Sequence, residues 1–119
     1  SNEIFAEDID GISFLPRLLD GVPAKELKSL ADDLKKKIGS GVVALVSVTQ
    51  EKCSVVVGVT EDLTNKFNAV DLVQTGSLAV GGKGGGGRPD MAQSGGPQTD
   101  KAHDALDAIK NAIIKQKST

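Results

Sequence analysis

An α/β fold, one domain in which helices pack on the faces of a mixed sheet, is what this sequence predicts. Three observations predict it. Residues 42–48 and 55–59 are apolar on both alternating sets, as strands covered on both faces are. Three other segments space their apolar residues by three and four, as helices with one buried stripe do. A chain of 119 residues is long enough for one core and too short for two. The expected order is β-β-α-β-β-α-loop-α.

Ile4-Phe5-Ala6 is a short apolar run, and Ile9-Asp10-Gly11 reads as a turn into a strand over 12–19. Pro16 withholds one ladder donor, which predicts an edge strand or a bulge there. After Asp20-Gly21-Val22, Pro23 suits the start of a helix. Leu27, Leu30, Ala31, Leu34 and Ile38 supply its stripe, and Gly39 stands where a left-handed cap belongs. Lys35-Lys36-Lys37 reads as a solvated face that favours the helix dipole. The helix should cross over between parallel neighbours. The two valine-rich runs then pair as a hairpin, with Cys53 a small packing residue beside the second.

Asn68 can cap a second helix with Asp71 in its first turn; Ala69, Leu72, Val73 and Val80 form the face, and Gly76 allows close packing. Phe5, Phe14 and Phe67 read as core or element-edge residues. A last helix starts near Asp100 and buries Ala102, Ala105, Leu106, Ile109, Ala112 and Ile113. His103 lies on the flank of that face, half-exposed and structural.

Between these helices lies the most unusual stretch. Eight of the 14 glycines fall within residues 81–96, a loop that also holds Lys83 and Arg88. Glycine is costly to order and packs nothing, so such a run asks for a reason. The usual one is a backbone that approaches a ligand closely with amides free to donate, and a phosphate is the obvious partner. Arg88 can fork onto a phosphate or a guanine edge, Lys83 adds a point charge, and Gln93 and Ser94 offer neutral hydrogen bonds. Pro89 pushes Arg88 toward an extended conformation. The competing structural reading is a loop that only packs tightly between helices and sheet.

Composition limits the alternatives. The net charge of -2 argues against a general, charge-driven nucleic-acid binder, so a polyanion must meet a local patch. With no Trp or Tyr, recognition by base stacking gives way to recognition of folded shape and backbone. One His and one Cys cannot assemble the usual structural zinc site, and a lone Cys excludes an internal disulfide. No apolar stretch reaches the roughly 18 residues of a membrane span. The match of residues 82–87 to G-x-G-x-x-G is empty, since it follows a helix, and no Ser or Thr follows Lys83 as a Walker loop requires. His103 has no nucleophile near it in sequence, and the pairs Asp32-Asp33 and Glu61-Asp62 read as surface. No catalytic or metal-binding residues are expected; the chain reads as a binding module. Ser1-Asn2 reads as a tag remnant, with residues 3–119 one domain cut from a longer protein.

The run Gly-Gly-Lys-Gly-Gly-Gly-Gly-Arg-Pro-Asp-Met-Ala-Gln-Ser-Gly-Gly closely resembles the signature of the DHH-associated, or C-Ala, domain near the C-terminus of alanyl-tRNA synthetases. The resemblance extends over roughly residues 9–116, with one apparent extra glycine between Lys83 and Arg88. It implies a parent ligase that uses ATP to charge tRNA with alanine and clears mischarged tRNA in a separate, metal-dependent editing domain. Neither activity is implied for this chain, and no cofactor; ATP and zinc belong to the other domains. The implied partners are tRNA(Ala), met at the elbow where its D- and T-loops join, and the aminoacylation and editing domains of the parent. On the matching positions, Lys83 and Arg88 would touch phosphate, Gly84, Gly85, Gly86 and Gly87 would allow close backbone approach, and Gln93 would add a weaker polar contact. A cytoplasmic protein, monomeric in isolation and away from membranes, is the expectation. Three rivals stand beside it: the substrate-binding domain of a DHH phosphoesterase, an oligomerisation module, and the tail of a stand-alone editing protein. The first typically carries Gly-Gly-Gly-His, where this chain has Arg88-Pro89.

Overall fold

The computed structural model describes residues 6–117, so Ser1, Asn2, Ile4 and Phe5 lie outside the described residues. Strands β1 (Glu7–Ile9) and β2 (Ile12–Asp20) form a hairpin through Asp10 and Gly11, at φ 49° and 91°. Two-residue hairpin loops favour such left-handed backbone, and Asp8 Oδ1 accepts from the Gly11 amide at 3.1 Å. Helix α1 (Ala24–Ile38) then carries the chain to β3 (Val42–Val48), which runs parallel to β2 as the crossover predicts. Next, β4 (Cys53–Val59) returns antiparallel to β3. Helix α2 (Ala69–Ala79), strands β5 (Gly85–Arg88) and β6 (Met91–Gly96), and helix α3 (Ala102–Lys117) complete the order. Single 3-10 turns at Glu61–Leu63 and Thr99–Lys101 precede α2 and α3.

All six strands share one mixed sheet, in the order β1-β2-β3-β4-β6-β5. Alternation along the strands divides the core in two. Leu15, Val43, Leu45, Val56 and Met91 face α1, where Leu27, Ala31 and Leu34 close over them. Phe14, Val42, Ala44, Val46, Val55, Val57 and Val59 face the other way, against Phe67, Leu72, Val73, Ala105, Ile109 and Ile113 of the α2–α3 layer. Strands β3 and β4 are therefore apolar on both alternating sets because helices cover both their faces. Each fully buried Val or Leu contributes about 1.5–3 kcal/mol of hydrophobic stabilisation. Gly76 sets the α2–α3 approach: a Cβ there would lie 2.9 Å from Ile109 Cδ1 and 3.2 Å from Val55 Cγ1.

The caps follow from local chemistry. Gly39, at φ 75°, donates its amide to the Lys35 carbonyl at 3.1 Å and ends α1. Asn68 Oδ1 accepts from the Val70 amide at 2.9 Å and starts α2.

Two expectations are corrected. Strand β2 is neither an edge strand nor bulged, since it pairs with β3 without a break from Phe14 to Asp20. Pro16 is accommodated by parity. Ile9 and Ile12 close a two-residue loop and so exchange hydrogen bonds, and bonding alternates along β2. Pro16 thus turns its missing donor away from β3, past the described end of β1. The second correction concerns the glycine run, which is a β-hairpin and not a loop. It adds β6 and the edge strand β5 to the sheet. Glycine carries neither the β-branching nor the alternation by which strands are read, so these two strands leave no periodic signal.

Candidate nucleic-acid interface

Most glycines of the hairpin are there because backbones touch. A Cβ at Gly82 would overlap the Gly95 carbonyl oxygen and Ser77 Oγ; one at Gly95 would overlap the Cys53 carbonyl oxygen, and one at Gly96 that of Val80. One at Gly87 would lie 2.5 Å from the Met91 carbonyl oxygen. Ser77, fully buried on α2, fastens this packing: its Oγ donates to the Gly95 carbonyl at 2.8 Å and accepts from the Gly84 amide at 3.2 Å. Ser94 Oγ donates to the Val73 carbonyl at 2.9 Å, and Gln74 Nε2 to the Gly85 carbonyl at 3.4 Å. The amide of Gly82 donates to the Ser77 carbonyl at 2.8 Å.

The expectation of an open cradle of free amides is therefore corrected. The amides of Gly81, Gly82 and Gly84 are paired internally, and Ser94 is engaged with α2. Ser77 was missed in the sequence, although its spacing from Val73, Gly76 and Val80 sets a polar group into an otherwise apolar helix face.

Gly86 departs from this pattern. It pairs with Gln93, and a Cβ there would meet nothing within 4 Å. Gln93 in turn pairs with Val56, whose side chain belongs to the α1 side of the sheet. Helix α1 lies mainly over β3 and β4 and makes few contacts with β6, so the sheet face continues past it uncovered. A groove of about 580 Å³ opens there, lined by Lys52, Ser54, Gly84, Gly85, Gln93 and Gly95 among others. Gln93 is exposed within it.

Lys83 and Arg88 are both exposed; Lys83 lies two residues before β5 and Arg88 ends it. The intervening chain puts them on the order of 15 Å apart. They mark the two ends of a shelf and do not converge on one point. At the Arg88 end, Asp90 lies between two cations. Its Oδ1 is 3.4 Å from Arg88 Nε, and its Oδ2 is 3.7 Å from Lys35 Nζ, which also donates to the Asp90 carbonyl at 3.0 Å. Lys35 departs from the solvated lysine face read in the sequence. Its side chain is only 13% exposed, and its stem lies over Gly58, where a Cβ would sit 2.8 Å from Lys35 Cδ. Lys36 and Lys37 are exposed as expected. Among the described residues no cluster of three His, Cys, Asp or Glu side chains could hold a metal ion, and no helix is long and apolar enough to cross a membrane.

A family model described as the DHHA1 domain matches residues 11–115. The chain belongs to the DHHA1 domain family. Within it, this DHHA1 domain is of the C-Ala kind found in alanyl-tRNA synthetases. The solved C-Ala domain from Aquifex aeolicus alanyl-tRNA synthetase has a TM-score of 0.86 and 30% identity, covering 93% of this chain and 99% of that one. Alanine–tRNA ligases of Paramagnetospirillum magneticum and Rhizobium meliloti are each 59% identical, over 105 and 109 residues. The DHHA1 domain spans 12% of the length of either ligase, with 88% and 91% of its own length covered. The DHH domain of a member of the s1p family of ribosomal proteins, at 16% identity and a TM-score of 0.63, shares the fold. The resemblance read from residues 81–96 and the mixed α/β architecture are both borne out.

Proposed function

We propose that this DHHA1 domain is the tRNA-binding C-terminal domain of a cytoplasmic alanine–tRNA ligase. It grips the elbow of tRNA(Ala) and helps bring the aminoacylation and editing domains of its parent onto one tRNA. The domain itself is non-catalytic and needs no cofactor; ATP and zinc act in the other domains. The observation that carries this reading is the uncovered shelf of β6 and β5. Gly86 leaves its floor open, Gln93 projects from it, and Lys83 and Arg88 bound its two ends. A flat, aromatic-free surface with cations about 15 Å apart suits phosphates two or three nucleotides apart, or on neighbouring strands of a folded RNA, better than a stacked base or a single mononucleotide. Gly85 and Gly87, where an added Cβ would run into β6, hold the two strands of the shelf close together. With a net charge of -2, the isolated domain binds weakly, and linkage to the parent supplies effective concentration.

The test is equilibrium binding of a tRNA(Ala) transcript against short oligonucleotides and nucleoside monophosphates over a salt series. Tighter binding of tRNA is expected. Lys83→Ala with Arg88→Ala should lower the salt slope by roughly 1.5, two phosphate contacts' worth. Preference for the small ligands would favour the substrate-binding domain of a DHH-type phosphoesterase. The domain should run as a monomer by light scattering at micromolar concentration; a stable dimer would favour an oligomerisation module.

A further inference from the structure

Cations that lie far apart in sequence converge at one end of this domain. Helix α3 ends there with Lys115 and Lys117, and α2 begins there, three residues after Lys66. Gln116 Nε2 donates to the Lys66 carbonyl, fastening the last turn of α3 to the segment ahead of α2. Lys66, Phe67, Gln116 and Lys117 wall a hollow of about 370 Å³. The turn of the β5–β6 hairpin reaches the same end, because the Pro89 carbonyl accepts from the Ala69 amide at 2.8 Å. Arg88, one residue before Pro89, continues the strip toward the shelf.

Local structure explains only part of this charge. Lys115 and Lys117 complement the negative end of the α3 dipole. Lys66 has no such reason to be there. It sits just ahead of the α2 N-terminus, where unsatisfied amides point outward and a cation is disfavoured. The cap of that helix, Asn68, is neutral. Lys66, Lys115 and Lys117 are exposed, and none belongs to the ion pairs found among the described residues. The acids on the same segment point elsewhere or stand apart from the hollow: Asp62 turns its carboxylate to Ser40 and Thr60, and neither Glu61 nor Asp71 lines it.

We propose that Lys66 and Lys117, which wall one hollow, form a second contact for the phosphate backbone of tRNA, around the end of the domain from Arg88. This rests on the tRNA-binding reading above and extends its footprint from the sheet shelf to the α2–α3 side. The test uses the 119-residue chain, a tRNA(Ala) transcript and Lys66→Gln with Lys117→Gln. The salt slope should fall by about 1.5, and affinity at 0.1 M salt by up to about thirtyfold. Both side chains are exposed, so the melting temperature should stay within about 2 °C. Lys66→Arg with Lys117→Arg should bind like the unaltered chain, and a failure of that variant to bind would overturn the proposal. So would an unchanged slope in the glutamine variant while Lys83→Ala with Arg88→Ala lowers it; the shelf reading would then stand alone. If neither pair alters the slope, both readings fall.

Discussion

Two neighbouring glycines of the hairpin make opposite predictions when each is replaced by alanine. At Gly82 the added methyl overlaps the Gly95 carbonyl oxygen and Ser77 Oγ. Relief requires the hairpin to move off α2, which endangers the Ser77–Gly95 and Gly82–Ser77 hydrogen bonds, both 2.8 Å long. Each net bond contributes about 1 kcal/mol, and the steric displacement adds about 1–3 kcal/mol. Gly82→Ala should therefore cost about 3–5 kcal/mol. For 119 residues, 1 kcal/mol corresponds to about 4 °C, so the melting temperature should fall by roughly 12–20 °C. Gly86→Ala meets nothing within 4 Å and restricts the unfolded chain, so it should be neutral or stabilise by up to about 1 kcal/mol. Thermal melts followed by circular dichroism separate the two. Equal losses in both variants, or no loss in Gly82→Ala, would refute the assignment of Gly82 to packing and of Gly86 to an open floor.

Other outcomes follow from single groups. Ser77→Ala strands the Gly84 amide and removes the donor to Gly95 inside a buried site, and should cost about 1–3 kcal/mol in urea unfolding. Hydrogen bonds from Ser40 and then Thr60 hold the Asp62 carboxyl below its ordinary value. Its contribution is thus fully present above the unfolded-state pKa and is lost as pH falls through the lower folded one. Asp62→Asn should flatten the stability profile in that acid window, and an unchanged profile would refute the coupling. Burial, and then the charge of Asp100, push the Cys53 thiol up, and its Sγ lies 3.6 Å from the Gln98 carbonyl. Thiol reagents at neutral pH should modify the native chain far more slowly than the urea-unfolded one.

The elements that were legible are those whose side chains face one layer. The stripe from Leu27 to Ile38 is readable because α1 has a single buried face, and the valine runs because both faces of β3 and β4 are covered. The hairpin was not legible as strands. Its information lies in what Gly82 and Gly95 must avoid in each other, a relation between backbones thirteen positions apart that no local window contains. Lys35 shows the same limit: three adjacent lysines look alike, and only the placement of Gly58 beneath the first one buries its stem. Of the candidate site, the exposed Lys83, Arg88 and Gln93 were readable as surface groups. The hydrogen bonding of the Gly81, Gly82 and Gly84 amides depends on Ser77 and Leu78, which local patterning treats as part of a helix face.

The sheet has a hazardous middle and two guarded borders. Val42–Val48 and Cys53–Val59 are uncharged, β-branched segments of the sort that stack into fibrils when their ladders are left open. Neither is ever terminal in the sheet. At one border stands a three-residue strand bearing Glu7 and Asp8; at the other, a four-residue strand of glycine ending in Arg88. Short borders, charged or poor in β-forming residues, give an approaching foreign strand little to zip onto. The glycine edge thus keeps the valine interior from recruiting copies of itself, a duty that would persist with no RNA in sight.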